Sequence, residues 1–77
     1  GRAGDLDGAM VDLNYAIELD EDMAYAYNNR GLTWHRMGEM DRAQADYQRA
    51  IDLGLQEPWA EINLYNLQFE MAKLADA

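Results

Sequence analysis

Seventy-seven residues make at most one small domain, and with no cysteine among them neither a disulfide nor a thiolate metal site can staple it. Fifteen acids against six bases leave a net charge of −9, which argues against nucleic acid as a partner, because a phosphate backbone needs clustered Lys and Arg. No apolar run approaches the roughly 18 to 20 residues of a membrane span and nothing at the start resembles a signal peptide, so no membrane partner is expected and the cytoplasm stands as the default compartment.

The chain opens on Gly1 without a methionine, which reads as a piece cut or processed from something longer. From there the apolar residues keep a helical period in four segments, about 5–19, 23–37, 40–53 and 58–75, with breaks at Asp20 to Asp22, Met37 to Glu39 and Gly54 to Glu57. In the first segment Asp5, Asp7 and Gly8 resemble the middle of a calcium loop. Ala3 stands where the first ligand belongs and Asn14 where the bidentate Glu belongs, so calcium is not expected there. The acidic run Glu18, Asp20, Glu21, Asp22 reads as a solvated turn, with Asp22 placed to cap the second helix. Gly38 is placed to end that helix in a left-handed turn and Gly54 to end the third, while Pro58 suits the first turn of the fourth. Connections this short force neighbouring helices antiparallel. The expected fold is all-α, a row of helical hairpins without strands.

The third segment repeats the first. GEMDRAQADYQRAIDL, from Gly38, lies over GDLDGAMVDLNYAIEL, from Gly4, at an offset of 34, with Gly4/Gly38, Asp7/Asp41, Ala9/Ala43, Asp12/Asp46, Ala16/Ala50, Ile17/Ile51 and Leu19/Leu53 coinciding. A fixed period of this size marks a repeat architecture. On a wheel of the fourth segment, at about 100° per residue, Ile62, Tyr65, Phe69 and Ala72 form one apolar stripe. Leu64, Leu67, Met71 and Leu74 form another on nearly the opposite side, and these four are the candidates for an oligomer interface. A helix apolar on two sides expects to be sandwiched. Met10, Leu13 and Tyr15 at the other end likewise lack a preceding helix to cover them.

Residues 24–54, AYAYNNRGLTWHRMGEMDRAQADYQRAIDLG, resemble a tetratricopeptide repeat. That family's 34-residue pattern calls in order for a large residue, a small one, an aromatic, Gly, Ala, an aromatic and Ala. Here those places hold Tyr27, Gly31, Trp34, Gly38, Ala43, Tyr47 and Ala50. The physics agrees, since Gly31 and Ala43 let two backbones approach while Tyr27, Trp34 and Tyr47 fill the space on either side. The resemblance divides the single segment 1–77 into a second helix over 4–22, a full repeat over 24–57 and a first or capping helix over 58–77. The family's proline is replaced by Glu21 in one copy and Leu55 in the other, with Pro58 three places late. Tyr65 stands where Gly31 permits close approach, so the last helix must shift register or pack in its own way.

The resemblance implies a protein-interaction module whose concave groove is formed mainly by the first helix of each repeat. On that wheel sector the second helix carries Tyr25, Asn28, Asn29, Leu32, His35 and Arg36, and the fourth carries Trp59, Ile62, Asn63, Asn66, Phe69 and Glu70. Aromatic rings flanked by asparagines suit an extended peptide, because an amide both donates to and accepts from a peptide backbone. In peptide-binding members asparagines at the place of Asn29 and Asn63 often do this. The family's clamp for a C-terminal carboxylate needs groove lysines or arginines, and Arg36 alone stands there, which speaks against that clamp. The expected partner is a protein or peptide, or a second copy of the chain. Catalysis, a cofactor and a metal are not expected. Serine is absent, the lone Thr33 sits mid-helix, and the single His35 has no carboxylate placed by sequence to orient it. The methionines at 10, 23, 37, 40 and 71 read as core filler.

Overall fold

The computed structural model describes residues 3–76. Gly1, Arg2 and Ala77 of the segment expected over 1–77, and the side chain of Asp5, lie outside that description. Among the described residues there are four helices and no strand: α1 (Ala3–Leu19), α2 (Ala24–Arg36), α3 (Met40–Asp52) and α4 (Trp59–Asp76). Each packs on the next in chain order, and α2 also touches α4. No described helix is long and apolar enough to cross a membrane.

The ends of α2 and α3 share one device. Gly38 and Gly54 take φ of +84° and +85°, a backbone open to glycine at no steric cost. Beyond each glycine the next amide turns back onto the helix: Glu39 N–H donates to the Trp34 carbonyl (2.9 Å) and Leu55 N–H to that of Ala50 (3.2 Å). These six-to-one bonds satisfy carbonyls that a helix end leaves unpaired. Two expectations about helix starts need correction. Asp22 does not cap α2; Met23 is the N-cap residue, its carbonyl accepting from Ala26 and Tyr27, and no side chain caps the helix. Asp20 organises the turn instead, its carboxylate accepting from the Asp22 N–H at 3.0 Å. Pro58 lies one residue before α4, and its carbonyl accepts the Ile62 N–H at 2.9 Å. The calcium-loop resemblance at Asp5 to Gly8 falls inside α1, where no loop exists.

The core forms where α3 meets α2 and α4. Ala43, Tyr47 and Leu67 are fully buried, with Leu32, Trp34, Met40, Leu64 and Met71 packed round them. Gly31 is required here by space: a Cβ on it would stand 2.7 Å from Cδ1 and Cε1 of Tyr47 and 3.3 Å from the Ala43 carbonyl oxygen. This seating decides which stripe of α4 faces inward. Leu64, Leu67 and Met71, expected as oligomer contacts, are taken up by the chain's own core, because α3 lies on that side; of the four only Leu74 is exposed. The stripe of Ile62, Tyr65 and Phe69 is left facing out. Met10, Met40 and Met71 serve the interior, whereas Met23 and Met37 are exposed.

Candidate functional site

The groove sector rests on α2 and α4, which stand side by side and are joined by three side-chain contacts at the spacing of the repeat. At one end the rings of Tyr25 and Trp59 meet edge to face, with centroids 5.8 Å apart and planes at 61°. In the middle Asn63 Nδ2 donates to Asn28 Oδ1 at 3.1 Å. At the other end His35 Nε2 pairs with a carboxylate oxygen of Glu70. Each contact joins a residue of α2 to one 34 or 35 positions on, so one helical turn pattern written twice becomes a ladder.

Several expected site residues are therefore engaged in joining α2 to α4. Asn28 is 3% exposed and bonded to Asn63, so its side chain is enclosed between the helices. Leu32 is half-buried against the core. Asn29, Arg36 and Asn66 are exposed, and Tyr25 and Trp59 are each about half exposed. Ile62 and Phe69 lie on the outward stripe, away from the α2 contacts made by Trp59, Asn63 and Glu70.

The electrostatics of this face come from two pairs. Tyr25 Oη–H donates to Glu57 Oε1 at 2.8 Å, and this bond, with some desolvation and the negative charge itself, raises the phenol above its ordinary value. A shallow hollow lined by Ala24, Tyr25, Gly54, Leu55, Gln56 and Glu57 opens beside that pair. Glu70 supplies the carboxylate that sequence spacing did not offer to His35, since it comes from a helix 35 residues away. Thr33 is buried and donates to the Asn29 carbonyl at 3.0 Å, an internal helix bond that leaves its hydroxyl committed.

A residue of this region that spacing alone did not single out is Arg30. Its Nε and Nη2 donate to the two oxygens of Asp46 on α3 at 2.6 and 2.8 Å, and its Nη1 donates to Asn14 Oδ1 on α1 at 3.0 Å. The guanidinium also lies 5.4 Å from the Tyr27 ring centroid. One signal was available: Asp46 stands three residues after Ala43 and four before Ala50, on the same helix face as those small residues, and an acid on an inward face asks for a base.

Known proteins agree with this architecture. A family model described as tetratricopeptide repeat matches residues 24–53, and another described as TPR repeat matches residues 2–38. TPR repeat-containing protein MJ1428 of Methanocaldococcus jannaschii is 30% identical over 70 residues, covering 86% of this chain and 12% of that protein. Tetratricopeptide repeat protein 36 of Xenopus tropicalis is 42% identical over 55 residues, covering 66% of this chain and 27% of its own length. The chain thus spans about an eighth and about a quarter of these relatives. Repeats of this kind are in general protein–protein interaction modules and typically non-enzymatic scaffolds. With its helices paired as the repeat requires and its glycine seated against the facing ring, the chain belongs to the tetratricopeptide-repeat family.

Proposed function

We propose that the face of α2 and α4 binds an extended segment of a partner protein. The observation that carries this reading is the ladder of Tyr25/Trp59, Asn28/Asn63 and His35/Glu70, which holds two helices at fixed separation before any ligand arrives. Rigid presentation removes part of the ordering cost of binding. The Tyr25–Trp59 pair then grips an apolar or aromatic side chain, and the exposed amides of Asn29 and Asn66 read the peptide backbone. A net charge of −9 favours a segment that is neutral or basic.

The reading is tested by selecting displayed random peptides on the immobilised chain and measuring a selected peptide by fluorescence anisotropy. Asn29→Ala and Trp59→Ala should each weaken it at least about fivefold, roughly 1 kcal/mol, with helicity unchanged. Phe69→Ala, on the outward stripe, should not. Loss from Phe69→Ala alone would place binding elsewhere.

A second reading, self-association through α4, is favoured by one observation: Ile62, Tyr65 and Phe69 form an exposed apolar stripe on a helix whose other side is already in the core.

A further inference from the structure

Three aromatic rings of the chain carry a cation. The Arg42 guanidinium lies 4.9 Å from the Trp34 ring centroid, that of Arg49 5.7 Å from Tyr27, and the Lys73 ammonium 5.7 Å from Phe69. The pair of Tyr25 and Trp59, each about half exposed, has none among the described residues. A carboxylate stands beside it instead. Glu57 is half-buried and its Oε1 accepts from Tyr25 Oη at 2.8 Å. Among the described residues its Oε2 makes no hydrogen bond and no base pairs with it. The hollow that Tyr25 and Glu57 border is walled by the start of α2 and the turn joining α3 to α4, so all of it comes from residues 24–57 and none from the first or last helix.

The packing of the repeat does not demand this pair. Neither Tyr25 nor Glu57 stands at one of the seven places that carry the family resemblance, and the pair is not repeated: 34 residues after Tyr25 the chain has Trp59, without a hydroxyl, and 34 before Glu57 it has Met23, without a charge. The two helix ends at the hollow offset each other, since the start of α2 and the end of α3 carry about half a charge of opposite sign. The Glu57 carboxylate is left as the net charge. An aromatic ring and a carboxylate side by side suit a cation on an apolar stem, because the stem lies along the ring while the head meets the free oxygen. We propose that the hollow takes the side chain of a lysine or arginine of the partner segment, next to the residue gripped by Tyr25 and Trp59; this rests on the peptide-binding reading above and fixes the partner's charge at one position.

The test is a double-mutant cycle with peptides selected from the displayed library, measured by fluorescence anisotropy. The selected sequences should carry a lysine or arginine at one fixed position, and norleucine in place of the lysine or citrulline in place of the arginine should weaken binding about threefold to tenfold. Glu57→Gln, which keeps an acceptor for the Tyr25 hydroxyl, should cost the basic peptide as much and leave the neutral one unchanged, with helicity unaltered. Glu39→Gln, which removes the same charge at an exposed place beyond the other end of α2, should bind both peptides as the parent does. An equal loss from Glu39→Gln would show that the base answers to net charge and not to the hollow. Peptides that need Asn29 and Trp59 but carry no fixed base, or that bind Glu57→Gln as tightly as the parent, would overturn the cation site while the groove reading stands. Peptides indifferent to Asn29→Ala and Trp59→Ala whose preference for a base is lost in Glu57→Gln would uphold the cation site and overturn the groove reading. A library that yields no peptide dependent on any of these residues removes both.

Discussion

Tyr47 carries two opposite effects in one side chain. Its ring fills the space that Gly31 leaves open, and its hydroxyl is buried with no hydrogen-bond partner among the described residues. A buried unpaired hydroxyl costs about 1–3 kcal/mol. Desolvation pushes the phenol up to about 12, with the positive charge of Arg36 pulling slightly the other way. Tyr47→Phe should therefore raise stability at neutral pH by about 1 kcal/mol in urea denaturation; a loss of that size would show that the hydroxyl has a partner. The alkaline limb has a definite sign. The unfolded phenol releases its proton near pH 10 and the folded one near 12, so this contribution is complete below about pH 10 and declines as pH rises between the two values. The parent should lose stability over that window and the Phe variant should lose less. Some decline remains in the variant, because Tyr25 is raised as well by Glu57.

At the level of the element, α2 begins without help. Met23 holds the N-cap place in extended backbone, no side chain caps the helix, and its first turn has no acid. Met23→Asp should stabilise the chain by about 1 kcal/mol through the cap bond and the helix dipole, read as a raised urea midpoint with unchanged slope. A lower midpoint would mean that the methionine's partial burial outweighs the cap. Helix ends were legible in the sequence where one residue type is demanded, as at Gly38 and Gly54, whose positive φ singles out glycine. The start of α2 was not, since three acids in succession offer a cap and the choice among them depends on the register of the turn. The two stripes of α4 were legible for the same reason that any periodicity is. Which of them enters the core depends on the side from which α3 arrives, a tertiary fact that period alone does not contain. That Tyr25, Asn28 and His35 share one side of α2 was likewise readable from period, while the pairing of Asn28 with Asn63 and His35 with Glu70 required two helices to be laid together.

For the whole molecule the question is what makes four helices one unit. The molecule is a slab with extents of 40, 30 and 16 Å, and α1 is joined to it through α2 alone. Arg30 is the residue that crosses these boundaries, bonding Asp46 on α3 and Asn14 on α1 from its place on α2. Its ordinary value is raised chiefly by the Asp46 hydrogen bond, with burial acting against it. Asp46 is buried while Arg30 keeps contact with water, so the carboxylate suffers most if the pair is broken. Arg30→Met should cost about 2–3 kcal/mol, at or below the range for a fully buried pair because one end is partly solvated. Arg30→Met with Asp46→Leu should recover much of that loss, since a buried pair and well-packed apolar groups of like size are nearly equivalent. The single variant should also free α1 first, seen as faster amide hydrogen exchange over its residues while α3 keeps its protection. Asp12, the counterpart of Asp46 in the first copy, is exposed, so Asp12→Ala should change stability by less than about 0.5 kcal/mol. Equal costs at Asp12 and Asp46, or exchange that rises evenly over all four helices in Arg30→Met, would show that Arg30 is one contact among many and not the tie between them.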